Sequence, residues 1–244
     1  MRKCIFSGPT LSGEDVKGEI KFYQPAMLGS VFRAVEAGYR QIGIVDGYFG
    51  NTPAVWHKEI LYAIACGVQV VGAGSIGALR AAELYPFGMQ GVGTVFRLYK
   101  RGVLQDDDEV CVLHGPRELG YLPLSEPMIN IRYTLRKLRK LVFIDKPLEN
   151  QLVLAMKSEH FTRRTRKFLE EAANANTDGR TALLLSKAFG DYYVDVKRQD
   201  ALRLISVLKE TPISVRVPMN WEFPKTTNWI RQFEQDLEEV PILE

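Results

Sequence analysis

Three short apolar runs punctuate the first third of the chain, and each ends in turn-forming residues. Cys4-Ile5-Phe6 leads into Ser7-Gly8-Pro9, Ile42-Gly43-Ile44-Val45 into Asp46-Gly47, and Val68-Gln69-Val70-Val71 into Gly72-Ala73-Gly74-Ser75. Runs this short, with β-branched residues and little polar interruption, predict strands buried on both faces of a parallel sheet. Helical patterns separate them, at about 26–38 and 53–66. The second opens on Thr52 as a helix cap with Pro53 at the first helical position, carries the stripe Trp56, Ile60, Ile64, and stops at Gly67. A further helix is expected from Ser75 to Leu84, closed by Pro86 and Gly88. Strand–helix alternation of this kind predicts an α/β fold, a mostly parallel sheet with flanking helices in a Rossmann-like N-terminal part.

The pattern then changes. Residues 87–125 are irregular, with Gly91, Gly93, Gly102 and the acidic run Asp106-Asp107-Asp108-Glu109, followed by an expected strand at Val110-Cys111-Val112-Leu113. From about 128 to 209 the periodicity is that of amphipathic helices, which predicts a helical C-terminal part. The prolines at 212, 218 and 224 break the remainder into an expected strand, turn and last helix. The implied organisation is an α/β core over 1–130, a helical region over 131–210 packed on it, and a strand/helix tail over 211–244.

Composition narrows the class. A chain of 244 residues, 46% hydrophobic and 25% charged, has the make-up of a soluble globular protein. No apolar run is long enough for a membrane span or a signal peptide, so the expected location is cytoplasmic, with no membrane role. Cys4, Cys66 and Cys111 are scattered among apolar residues, against a disulfide framework or a cysteine metal site, and no metal is expected. Net charge is only +3, yet residues 131–168 hold 11 Lys/Arg against 3 Asp/Glu, leaving 21 against 26 elsewhere. Such a belt, with Arg136, Lys137 and Arg139 at its centre, suits an acidic or phosphate-bearing partner, or is a solvated helical face. It lacks the aromatic interleaving of a nucleic-acid surface, and no nucleic acid is expected.

Ligands of open parallel sheets bind beyond the carboxyl ends of the strands. There the three early loops converge, bringing Ser7, Asp46 and the Gly72–Gly77 turn to one edge. The turn reads two ways. As G-x-G-x-x-G it suggests dinucleotide binding and an oxidoreductase, but it follows the third expected strand, and no acid stands at the strand end near Val92–Val95 to hold a ribose. As a relative of G-x-S-x-G it presents Ser75 as a nucleophile, with the backbone N–H groups of Ile76 and Gly77 placed to hold an oxyanion. A plain helix cap is the alternative role for Ser75. A serine nucleophile needs a base. Of the three histidines, His57, His114 and His160, only His57 lies near this edge, and beside it Lys58 stands in a helix that starts on the same side. Partial burial would lower the pKa of Lys58 and let its neutral amine take a proton; otherwise it is a solvated surface lysine.

The same residues carry a resemblance. Val45-Asp46-Gly47-Tyr48-Phe49, Pro53-Ala54-Val55-Trp56-His57-Lys58-Glu59-Ile60 and Gly72-Ala73-Gly74-Ser75-Ile76-Gly77-Ala78-Leu79-Arg80-Ala81-Ala82-Glu83-Leu84 resemble the TfuA-like core. Gly88-Met89-Gln90-Gly91-Val92-Gly93, Asp107-Asp108-Glu109-Val110 and Ser7-Gly8-Pro9-Thr10-Leu11 extend it, so the resemblance covers roughly 4–135. It implies a partner of a YcaO enzyme in backbone thioamidation, acting as a hydrolase that releases sulfide from a thiocarboxylated ThiS-type ubiquitin-like carrier. It implies a Ser–Lys pair, carried onto Ser75 and Lys58, with ATP used by the YcaO enzyme and no cofactor of its own. His57, Asp46 and Glu83 would orient the lysine or a water, Arg80 would pair with Glu83 or the carrier's terminus, and Ser7 is the fallback nucleophile. A non-catalytic adaptor that brings substrate to the YcaO enzyme through the basic belt is the alternative.

Overall fold

The computed structural model describes residues 2–16, 18–48, 50, 52–210 and 221–235. They divide into two compact units. One takes the chain up to Val103 and again from Asp200, and the other is Leu104–Gln199.

The first unit is built on a five-stranded sheet of β1 (Arg2–Phe6), β2 (Ile20–Tyr23), β3 (Tyr39–Ile44), β4 (Gln69–Ala73) and β5 (Gln90–Val92) in the order β2-β1-β3-β4-β5. Every pairing is parallel. The three expected strands are the central ones. The two missed are the edges: β2 is buried only at its two end residues, and β5 is three residues long with a glycine in the middle.

Alternation along the strands sorts the core into two faces. Cys4, Phe6, Ile42, Ile44 and Val70 point toward α1 (Ser30–Glu36), α2 (His57–Ala65) and α3 (Ile76–Leu84), meeting Val31, Ala34, Ile60, Ala63 and Ala81. Ile5, Val45, Val71 and Ala73 point the other way. They meet Ala201, Leu204, Ile205 and Leu208 on the later part of α9 (Val196–Glu210). A Cβ at Gly43 would lie 2.7 Å from Leu204 Cδ2, so the glycine in β3 is what lets that helix seat. The helix α4 (Gly93–Lys100) is tied to it as well, because Asp200, wholly buried, accepts from the Val95 N–H at 2.7 Å.

The helix expected from Thr52 instead begins at His57. Thr52 and Pro53 are good local start signals, but Ala54 bridges to Met27 and Leu28 N–H donates to Pro53 O, which holds 52–56 extended. The true start is marked by Glu59, whose carboxylate accepts from the Trp56 N–H at 3.1 Å. The helix expected at 26–38 is confined to Ser30–Glu36, after a turn at Gly29.

The second unit holds α5 (Met128–Lys140), α6 (Lys146–Ser158), α7 (Arg166–Asn174), α8 (Gly179–Asp191) and the first turn of α9, around a core that includes Ile131, Leu135, Leu152, Leu169 and Phe189. The strand expected at 110–113 is not formed. Among the described residues no strand runs beside it, and the segment is fixed singly, with Leu113 N–H on Ser125 Oγ, Leu124 N–H on Leu113 O and one bridge from His114 to Pro123. Of the expected tail, 211–220 and 236–244 lie outside the described residues. Within it α10 (Thr227–Ile230) and the wider turn Arg231–Gln235 are formed. They bring Trp229 and Phe233 onto Phe32, beside Tyr62 and Phe223.

Candidate functional site

The sheet order reverses direction between β1 and β3, which makes the crevice at their carboxyl ends the switch point where ligands of doubly wound sheets bind. Asp46, at the end of β3 and almost wholly buried, fills it. Its Oδ2 accepts from Ser7 Oγ at 2.8 Å, Gly8 N at 3.0 Å and Thr10 N at 3.0 Å, and its Oδ1 from Thr10 Oγ1 at 2.7 Å. The carboxylate thus clamps the β1 loop. Ser7 is fully buried and donates its proton to Asp46, which helps hold the loop. Thr10, quoted in the sequence motif without a role, is an equal member of this cluster.

The turn after β4 meets the cluster through backbone. Gly74 adopts φ 70, Ser75 N–H closes onto Ala73 O at 2.7 Å, and α3 starts at Ile76. Gly77 N–H donates to Val45 O at 3.1 Å, next to Asp46. That bond engages one of the two expected oxyanion donors, while the Ile76 N–H has no backbone acceptor among the described residues. Ser75 occupies the cap position without its side chain capping the helix, which sets it apart from an ordinary N-cap serine. Ser75 is buried, 8% exposed.

The glycines of this turn have internal reasons. A Cβ on Gly77 would lie 1.8 Å from Ile44 O, and one on Gly72 would lie 2.0 Å from Gly77 O. The turn follows β4, whereas the switch point lies between β1 and β3. The G-x-G-x-x-G spacing therefore serves close packing of α3 on the sheet, and it does not follow the first strand as a dinucleotide fingerprint does.

Lys58 does not bond to Ser75. Its ammonium donates to Thr226 Oγ1 at 2.7 Å and faces the rings of Phe223 at 5.5 Å and Trp229 at 6.0 Å. The residue that sequence reasoning missed is Thr226, 168 positions away, and no local signal pairs the two. A separate surface triad joins α2 to α3: His57 Nε2 lies 2.7 Å from Glu83 Oε2, and Arg80 Nη1 donates to the same oxygen at 2.8 Å. Burial alone would raise the Glu83 pKa, but the hydrogen bonds and charges of His57 and Arg80 outweigh it and hold the carboxyl below its usual range.

In the second unit the basic belt is largely neutralised from within. Arg132 makes a two-pronged pair with Glu109, Arg139 Nε donates to buried Glu149 at 2.5 Å, and Arg164, 1% exposed, is paired with Asp108. Lys157 sits among the carboxylates of Asp106, Asp108 and Glu109, so an ammonium already occupies that acidic group. Arg136 lies over the Tyr133 ring and Lys137 over the Tyr192 ring, without a carboxylate partner among the described residues. Of the three basic residues singled out in sequence, Arg139 is thus internally paired, while Arg136 and Lys137 make no ion pair with the described residues.

Residues 46–165 match the model of the TfuA-like protein family. The matched stretch opens on Asp46 and takes in Lys58, Ser75, Arg80 and Glu83, and it leaves out Ser7, Thr10 and Thr226. No curated protein matches the chain.

Proposed function

We propose, on the premise that residues 46–165 make this chain a member of the TfuA-like protein family, that it is the sulfide-releasing hydrolase of a YcaO-dependent thioamidation system. The family is associated with YcaO thioamidation. The substrate is a thiocarboxylated ThiS-type carrier, and the partner is a YcaO enzyme that itself uses ATP. The observation that carries the reading is Ser75, poised at the strand-to-helix turn with its side chain not used as a cap and the Ile76 N–H beside it.

The chemistry is acyl transfer. Ser75 Oγ attacks the carbonyl carbon of the carrier's thiocarboxylate, its proton passing to a neutral Lys58 amine. Negative charge gathers on the former carbonyl oxygen, where the Ile76 N–H and the dipole of α3 stabilise it. The C–S bond breaks, and the sulfur leaves with the proton from Lys58 as hydrosulfide. Water then hydrolyses the acyl-serine, giving the carrier carboxylate and restoring Ser75. Lys58 must exchange Thr226 for Ser75 to serve here. His57, Glu83 and Arg80 form a charged rim suited to the carrier's C-terminal carbonyl groups.

The test is sulfide release from purified thiocarboxylated carrier by wild type, Ser75→Ala and Lys58→Ala. Release by wild type with loss in both variants supports the Ser–Lys pair. Release that survives Ser75→Ala removes Ser75 from the chemistry. A second reading draws on the hold of Thr226 on Lys58: the chain is an adaptor that brings substrate to the YcaO enzyme, using Arg136 and Lys137 as contact charges. Wild type that leaves the carrier intact, alone and with the YcaO enzyme present, while binding that enzyme, would favour it.

A further inference from the structure

The second unit contains a cavity of about 420 Å³ that none of the chemistry above uses. Its size is within the range that accepts small ligands or a few residues of a peptide. One wall is apolar, from Pro123 and the half-exposed Leu124. The rest is a hydrogen-bonded frame.

The frame hangs on Asn130, buried in α5. Its Nδ2 donates to Tyr193 Oη and to Asp195 Oδ1, both at 3.0 Å, and its Oδ1 accepts from Val196 N at 2.9 Å. Tyr193 Oη donates to Glu126 Oε2 at 2.5 Å, and Arg166 Nε donates to Glu126 Oε1 at 3.0 Å. Burial, then the neighbouring Glu126 carboxylate, raises the Tyr193 pKa, which keeps the phenol a donor. Both Glu126 oxygens are therefore engaged and its charge is matched by Arg166. Asp195 differs. Its Oδ1 takes two donors, Asn130 Nδ2 and the Arg198 N–H at 2.9 Å. Its Oδ2 has no donor and its charge no cationic partner among the described residues. The cavity thus pairs one open carboxylate oxygen with an apolar wall, and with Arg166 N–H groups that Glu126 does not use.

We propose that this cavity binds a basic side chain of a peptide, its alkyl stem along Pro123 and Leu124 and its ammonium or guanidinium on Asp195 Oδ2. Arg166 then donates to a flanking backbone carbonyl. A carboxylate fixed in place by its other oxygen is a preorganised acceptor for such a cation, and the apolar wall suits the methylene stem. The site stands independently of the Ser75 chemistry.

The test is a titration of the full chain, labelled with ¹⁵N, with acetyl-Gly-Arg-Gly-amide, and with norleucine or Glu in place of Arg. The expected result is saturable shifts of the Ser125, Thr165 and Tyr193 amides with the Arg peptide only. Asp195→Asn keeps an acceptor oxygen for Asn130 and Arg198 while turning an NH₂ toward the cavity. It should weaken the Arg peptide roughly 10-fold or more, since a hydrogen bond to a charged group is lost, at unchanged melting temperature. Equal binding of the norleucine peptide, preference for the Glu peptide, no saturable shift with any peptide, or an unaffected Asp195→Asn variant would each overturn the proposal.

Discussion

Replacing Gly77 by alanine sets two known effects against each other, and the geometry decides between them. Alanine favours a helix over glycine by about 1 kcal/mol in a helix interior, and by less in the first turn, where Gly77 stands. Against that, the new Cβ would lie 1.8 Å from Ile44 O and 2.5 Å from Ile44 C, atoms of the central strand that cannot rotate away. Ordinary C···O contact is about 3.3 Å, so α3 must retreat by roughly 1.5 Å. The retreat breaks the Gly77 N–H bond to Val45 O, worth about 1 kcal/mol, and forces overpacking that costs about 1–3 kcal/mol. The net expectation is a loss of about 2–3 kcal/mol. Gly13→Ala is the control, because its Cβ would meet nothing nearer than 3.8 Å. Urea unfolding followed by circular dichroism measures both. A Gly77→Ala protein within about 0.5 kcal/mol of wild type would refute the packing role of this glycine and reopen the dinucleotide-binding reading of the turn.

Three further expectations concern the same region. Asp46→Ala leaves at least four donors without their acceptor and should cost about 3–5 kcal/mol by thermal or urea unfolding, with Asp46→Asn milder because one oxygen can keep three of the four; equal losses would refute the clamp. Glu59, wholly buried, has its pKa raised to about 7 by burial, against the backbone N–H bonds of Gly29, Trp56, Phe32 and Val31. A folded pKa above the unfolded value of about 4.3 gives stability that is full below the lower value and lost as pH rises through the upper one. Wild type should therefore lose roughly 3 kcal/mol relative to Glu59→Gln between about pH 4 and 8, and parallel urea-stability profiles would refute the shift. Thr226→Val frees Lys58 from an exposed contact worth at most about 1 kcal/mol, so it should leave stability nearly unchanged and raise sulfide release up to about 5-fold if Lys58 is the base; an unchanged or lower rate would count against that role.

How much of this was legible depended on whether a signal was local. The strands β1, β3 and β4 are buried on both faces, so apolar runs announced them, whereas the edge β2 is buried at only two positions, β5 at none, and neither has such a run. The end of α2 was readable at Gly67, which takes φ 74, but its start was not, because the extended course of 52–56 is imposed by Met27 and Leu28. Val110–Leu113 has the composition of a strand and lacks only a neighbouring strand among the described residues, which composition cannot reveal. The Ser75 turn was legible because strand, glycine and helix start are consecutive in the chain. Charge counting found the belt at 131–168 but not its neutralisation, since Glu109, Asp108 and Glu126, which pair with Arg132, Arg164 and Arg166, precede the belt in sequence.

Lys58 marks where local reasoning stops and chemistry has to begin. A lysine in the second turn of a helix at the right sheet edge is within reach of Ser75 on sequence grounds, yet its ammonium rests on Thr226 between two aromatic rings. To act on Ser75 the amine must leave that hydroxyl acceptor and the two ring faces that hold it. A hydrolase of this design is therefore expected to be off while the segment 221–230 holds Lys58, and to switch on only when carrier or YcaO enzyme moves it. An adaptor needs no such movement, so the dependence of sulfide release on Thr226 separates the two readings more sharply than loss of activity in Lys58→Ala, which either a base or a structural anchor would produce.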